Sequence, residues 1–234
     1  VSAGGIISSE FSLTVHSAPT VTIAPAAPVV VAGTSVTFTA TVTGNPAPTL
    51  QWRKAGSPIA DATGATYTIP NAQPGDTAQY SVVATNVVSS ATATADLTVH
   101  VAPVITQHPV ASLVVTAGQP ASFTVAATGI PTPTFQWHKG TDPIPGATNA
   151  TYTIDPTVPA DDATYHAVAT NVVSSAPSTP AVLTVNFGPV ITSPVANQVA
   201  NLGGAASFLV TATGKPAPTY QWRRDTTVLT GQTQ

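Results

Sequence analysis

The 234-residue chain has no cysteine and no methionine, and only 6% of its residues are charged, against roughly 25% in an ordinary soluble protein. The missing cysteines exclude a disulfide framework, thiolate metal sites and cysteine nucleophiles, while leaving the redox compartment open. Without methionine, Val1 is not a translation start, so a mature product or an excised piece is expected. The net charge is only −3, and the six Lys and Arg form no run longer than two. Nucleic-acid binding needs a clustered basic footprint and is not expected. No apolar run approaches the length of a membrane span, and no basic amphipathic helix or secretory leader is visible, so membrane insertion is not expected either. With so little charge and a mean hydropathy of +0.24, the surface is weakly defended against association. Thr and Ser hydroxyls, sugars or packed neighbours must cover it.

Thr, Ala, Val, Ser and Pro fill the space that charge leaves. Thr and Val are β-branched and favour a pleated surface, and the 23 Pro and 16 Gly interrupt any long helix. No stretch has apolar residues at helical spacing for long enough to form one. The fold class is all-β.

An internal repeat organises the chain. Gly44–Trp52 (GNPAPTLQW), Gly129–Trp137 (GIPTPTFQW) and Gly214–Trp222 (GKPAPTYQW) align in register, and their tryptophans are spaced by 85 residues each. Gly33, Gly118 and Gly203 keep the same step, as do Tyr80 and Tyr165, each followed by a VATNVVSS-like run. Within one copy, strand-like segments recur with turn residues between them, the spacing of a sandwich. Residues 35–43 alternate, with Val36, Phe38, Ala40 and Val42 on one face. Further strands are expected over 49–53, 67–69, 80–85 and 92–99. The prolines of each Gly-x-Pro-x-Pro corner should hold an extended conformation.

These residues resemble immunoglobulin domains of the I-set and related bacterial immunoglobulin-like modules, over essentially the whole chain. Trp52, Trp137 and Trp222 match the family's buried strand-C tryptophan. Asp76-x-Ala78-x-Tyr80 and Asp161-x-Ala163-x-Tyr165 match the turn into strand F, whose tyrosine makes the tyrosine corner. The resemblance implies tandem Greek-key β-sandwiches joined end to end. The chain departs from the family at the intersheet disulfide. The B-strand cysteine falls on Ala40, Val125 and Val210, and the F-strand cysteine on Val82 and Ala167. Ala40 would face Val82 and Val125 would face Ala167, a small residue against a larger one in either order. A native disulfide in a small domain is worth about 2–5 kcal/mol, so apolar packing must carry more here.

Four segments are expected. Residues 1–18 resemble the last strand of a preceding domain, 19–102 and 103–187 are two full domains, and 188–234 is the N-terminal part of an incomplete one. The incomplete ends fit either a window on a longer array or completion by a neighbouring chain. The junctions carry no Gly/Ser run, which points to a semi-rigid connection.

Nothing in the sequence looks catalytic. Glu10 is the single glutamate, and the eight aspartates sit mostly in turns or at strand ends. Asp161 and Asp162 are adjacent and point apart rather than flanking a substrate. No P-loop, nucleophile elbow, zincin or EF-hand pattern occurs. His16 and His100 occupy matching positions at domain ends, where the third copy has Asn186. His138 and His166 should both point outward on neighbouring strands, and two histidines alone make a weak metal site. Lys54 and Lys139, candidates for the isopeptide links of some relatives, should face solvent. Asn149-Ala150-Thr151 is a glycosylation sequon, and the outward threonines read as solvent-facing strand formers.

The resemblance implies a non-catalytic structural segment of an extracellular or cell-surface fibre, stalk or filament, with no cofactor. Its partners would be copies of itself or adjoining domains of the same chain. One alternative is an adhesive or carbohydrate-binding repeat with a surface glycan or protein ligand. Such a repeat should show a surface aromatic cluster, and Phe187 is the best stray candidate. The other alternative is a spacer in a large secreted enzyme.

Overall fold

The computed structural model describes residues 11–233 and falls into two compact units, Val1–Ala102 and Pro103–Gln234. The first contains β1 (Ser17–Ala24), β2 (Val29–Val31), β3 (Val36–Asn45), β4 (Thr49–Lys54), β5 (Ser57–Pro58), β6 (Thr66–Ile69), β7 (Ala78–Thr85) and most of β8 (Ser90–Gln107). One sheet has the order β1-β3-β6, and the other carries β5-β4-β7-β8. Strand β2 leaves the first sheet's side of the sandwich and pairs with β8 in parallel, Val30 opposite Val99. All other pairings in this unit are antiparallel.

The period-2 pattern explains the layers. Along β3, Val36, Phe38 and Ala40 are buried while Thr37, Thr39 and Thr41 are exposed. They meet Trp52, Tyr80, Val82, Leu97 and Val99 in one core. The Phe38 ring stacks on Tyr80 at 5.1 Å between centroids and lies 6.1 Å from Trp52. Burying each large apolar side chain contributes about 1.5–3 kcal/mol, the main favourable term in a sandwich without a cross-link.

The second unit repeats the plan with β9 (Ser112–Thr116), β10 (Ala121–Thr124), β11 (Ala126–Ile130), β12 (Thr134–Lys139), β13 (Asp142–Pro143), β14 (Thr151–Ile154), β15 (Ala163–Thr170), β16 (Ser175–Pro177) and β17 (Ala181–Ser193). Here β9 runs parallel to β17, Leu113 opposite Leu183. Phe123, Val125, Trp137, Tyr165, Ala167 and Leu183 form its core. The third copy adds β18 (Thr211–Lys215), β19 (Arg223–Arg224) and β20 (Thr227–Val228).

Several expectations need adjustment. Of the strand expected over residues 1–18, residues 1–10 lie outside the described residues. Residues 11–16 take no strand, and Ser17 already belongs to β1, opposite Asn45 of β3. A strand needs a neighbour for its backbone groups, and β3 supplies one only from Ser17 onward. Strand β17 runs through the boundary expected at 187/188, and its far end pairs with β18, Val190 opposite Thr213. Val210 and Trp222, expected in a core, are only half-buried. At the corners, the peptide bonds preceding Pro46, Pro131 and Pro216 are cis.

Candidate functional site

The corner between β3 and β4 shows why the repeat carries its glycine. A Cβ on Gly44 would meet Pro48 Cγ at 2.9 Å and Asn86 Nδ2 at 3.3 Å, and its φ of +149° is one that side chains rarely adopt. The space is needed by Asn86, whose Nδ2 donates to the carbonyls of Ser17 and Pro46, while its Oδ1 accepts from the Val88 and Ser89 amides. Asn171 takes the same part in the second unit, bonding Pro131 O at 2.9 Å. Gln51, Gln136 and Gln221 form a second device that the sequence reading did not single out. Each precedes the tryptophan, and its Nε2 donates to a backbone carbonyl eight residues on, at 2.7–2.9 Å. Their presence beside all three tryptophans was the signal available.

The tyrosine corners are built as one cluster in each unit. Tyr80 Oη donates to Asp76 O at 3.1 Å, and Tyr165 Oη to Asp161 O at 3.0 Å. The Asp76 carboxylate accepts the Gln73 amide and the Lys54 ammonium, the latter at 2.7 Å. Asp161 holds the Val158 amide at 2.9 Å and Lys139 at 3.4 Å. Lys54 and Lys139 therefore do not simply face solvent. Each lies over a corner tyrosine ring, about 6 Å from its centre, because the short turn brings carboxylate and ring to the end of the C strand. The Lys54 hydrogen bond, then the Gln73 amide, holds the Asp76 carboxyl below its ordinary range. The same contact with Asp76 raises Lys54. Burial pushes both Tyr80 and Tyr165 up. This cluster ties a turn together and presents no open nucleophile.

The positions of the absent disulfide are closed by packing. Ala40 is 6% exposed and Val82 0%, while Val125 is 1% and Ala167 0%. Trp52 and Trp137 are fully buried, and their Nε1 groups donate to Gly64 O and Asn149 O at 2.9 Å.

Outward polar groups lie on two faces. On the β1-β3-β6 sheet, Thr20 pairs with Thr43 and Thr37 with Thr68 through their hydroxyls, at 2.6 and 2.8 Å. Ser122 with Thr153 and Thr124 with Thr151 repeat this in the second unit. Such cross-strand pairs contribute about 0.2–1 kcal/mol each and satisfy hydroxyls on a face with almost no charge. On the opposite sheet of the second unit, His138 of β12 and His166 of β15 stand directly across from each other. Their rings are 4.8 Å apart and nearly parallel, at 18°. Burial, then the neighbouring His138, lowers the His166 pKa. Among the described residues, no cluster of three or more His, Asp or Glu forms a metal-binding group.

The remaining candidates are dispersed. His16 is exposed and His100 half-buried, and the His100 and Asn186 backbone carbonyls accept from Ala32 and Ala117 at 2.8 Å. Phe187 is half-buried opposite Lys215, and Asn149 and Thr151 of the sequon are exposed. Glu10 lies outside the described residues. No helix of the described residues is long and apolar enough to cross a membrane.

Comparison with known proteins matches two family profiles, "Immunoglobulin I-set domain" over residues 19–99 and "Immunoglobulin domain" over 102–171. Endoglucanase C of Cellulomonas fimi is 41% identical over 182 residues, covering 73% of this chain and 16% of that protein. Roundabout homolog 1 of Rattus norvegicus is 34% identical over 194 residues, covering 78% of this chain and 12% of the relative. The chain thus spans a small fraction of the curated relatives it matches. Among solved structures, the titin I-band fragment I67-I69 aligns with a TM-score of 0.65 and 20% identity, over 93% of this chain and 82% of that one. Sidekick-1 immunoglobulin domains 1-5 align at 0.60 and 23% identity, over 92% and 49%. These structural likenesses concern the fold alone.

Proposed function

Because the chain belongs to the immunoglobulin family as a tandem array of its domains, we propose that it is a non-catalytic structural segment of an extracellular fibre, stalk or surface filament, set on a bacterial cell. The observation that carries this reading is the use of the repeated motifs. Trp52, Tyr80 and Asp76, with Trp137, Tyr165 and Asp161, are all committed to cores and turns. The residues repeated with the 85-residue step build scaffold, and the outward faces are hydroxyl-rich and nearly uncharged. Such a segment sets reach, and its uncharged faces favour packing against copies of itself or adjoining domains.

Likeness to a protein named as an endoglucanase, matched over a small part of its length, supports a second reading in which the segment is a spacer in a secreted enzyme. Negative-stain electron microscopy of the chain at working concentration separates the readings. Regular filaments with an axial repeat of whole domains support a structural polymer. Isolated particles whose length grows by one domain for each repeat added support a stalk or spacer. Particles whose length does not grow with repeat number would overturn both. Selective retention on a glycan array would move the reading to an adhesive repeat.

A further inference from the structure

The repeat supplies a comparison inside one chain. Where the first unit places Arg53 opposite Ser81 on adjacent strands, the second places His138 opposite His166. Neither histidine serves the core, the tyrosine corner or the turns described above. Both are half-buried on the outer face of the sheet, with Trp137 and Ala167 beside them pointing inward.

We propose that His138 and His166 form a two-histidine binding site for a borderline transition-metal ion, with Cu(II) held most tightly. Distance is the first support. With metal–nitrogen bonds of about 2.0–2.1 Å, two imidazoles bound side by side to one ion have ring centres about 4.5–5 Å apart, and these rings are 4.8 Å apart. The near-parallel stack is not itself the chelating arrangement. Rotation about the terminal torsion of His166, which is broad for histidine, turns one of its ring nitrogens toward an ion held at His138 Nε2, so the His138–Thr141 contact is kept and neither strand moves.

Orientation is the second support. His138 Nδ1 lies 3.3 Å from the Thr141 carbonyl. An Nδ1–H donating there fixes the tautomer that leaves the Nε2 lone pair free, the usual outer-shell arrangement of a metal-bound histidine. Imidazole suits Cu, Ni and Zn ions, and Cu(II) stands highest in the affinity order for divalent first-row metals. No third carboxylate or imidazole joins the pair among the described residues. The remaining coordination positions would be filled by water or by a ligand from outside the chain.

The test is titration of the full chain with Cu(II), followed by calorimetry and by electron paramagnetic resonance for imidazole nitrogens. The expected result is one preferred site per chain with two equatorial imidazoles. H138R with H166S should weaken it at least tenfold and abolish the two-imidazole signature. That variant installs the pair which the first unit already carries at Arg53 and Ser81, so the fold accommodates it, and circular dichroism verifies this. H16A and H108A should leave the site unchanged. A one-imidazole spectrum in the wild-type chain, which needs no variant to fold, would overturn the proposal. Undiminished affinity in H138R with H166S would do the same.

Discussion

Replacing Trp52, Trp137 and Trp222 with phenylalanine, one at a time, should cost the three copies unequally. Trp52 and Trp137 are 0% exposed, each touches Phe and Tyr rings at about 6 Å, and each donates an indole hydrogen bond. The lost bond costs about 0.5–1.5 kcal/mol. The lost ring and the space it leaves add a further ~1–2 kcal/mol, for a total of about 1.5–3.5 kcal/mol. In a domain of this size each kcal/mol moves Tm by about 4–8 °C, so W52F and W137F should each lower their own domain's transition by roughly 6–28 °C. Trp222 is half-buried and packs on Phe208 at 6.4 Å, so W222F should cost under about 1 kcal/mol. Hydrogen exchange read by mass spectrometry on the intact chain assigns each loss to its own copy, which a single melting curve of several domains does not. Equal costs at Trp52 and Trp222 would refute the argument from burial. So would a W52F penalty below about 0.5 kcal/mol.

Other consequences follow from the same packing. Ala40→Cys combined with Val82→Cys should form an intersheet disulfide under mild oxidant and raise the first domain's stability by about 2–4 kcal/mol; thiol titration that finds both groups reduced would show that they do not face each other. Asp76 titrates below its ordinary range in the folded state, so its contribution is present above the unfolded pKa of about 3.9 and lost as pH falls through the lower folded value. Lys54 is raised, so its share is present below about 10.4 and lost as pH rises through the folded value. D76N should flatten the acid limb of a stability–pH curve measured by urea unfolding, and an unchanged limb would place that dependence elsewhere. Asp162 Oδ2 accepts the Val185 amide at 3.0 Å and the Lys215 ammonium at 2.5 Å. D162A should therefore speed amide exchange at Val185, while Lys215→Met should do so less, since the amide keeps its carboxylate.

The repeat, the all-β class and the inward-facing side of the strands were legible in the sequence, because these follow from short-range periodicity. Phe38 and Trp52 announce the core through alternation and an 85-residue step. His138 and His166 could be placed on one outer face by counting from Trp137 and Ala167. Which elements meet across long separations was visible only in the folded chain. The parallel pairing of Val30 with Val99 and of Leu113 with Leu183 joins residues about 70 apart, and no local pattern encodes such a contact. Lys54 was expected in solvent and instead lies on Tyr80 and Asp76, since a turn twenty residues later closes over it. Trp222 carries the same motif as Trp52 but not the same burial. A side chain's local pattern sets which face it points to, whereas its partners are set by pairings between strands far apart in the chain.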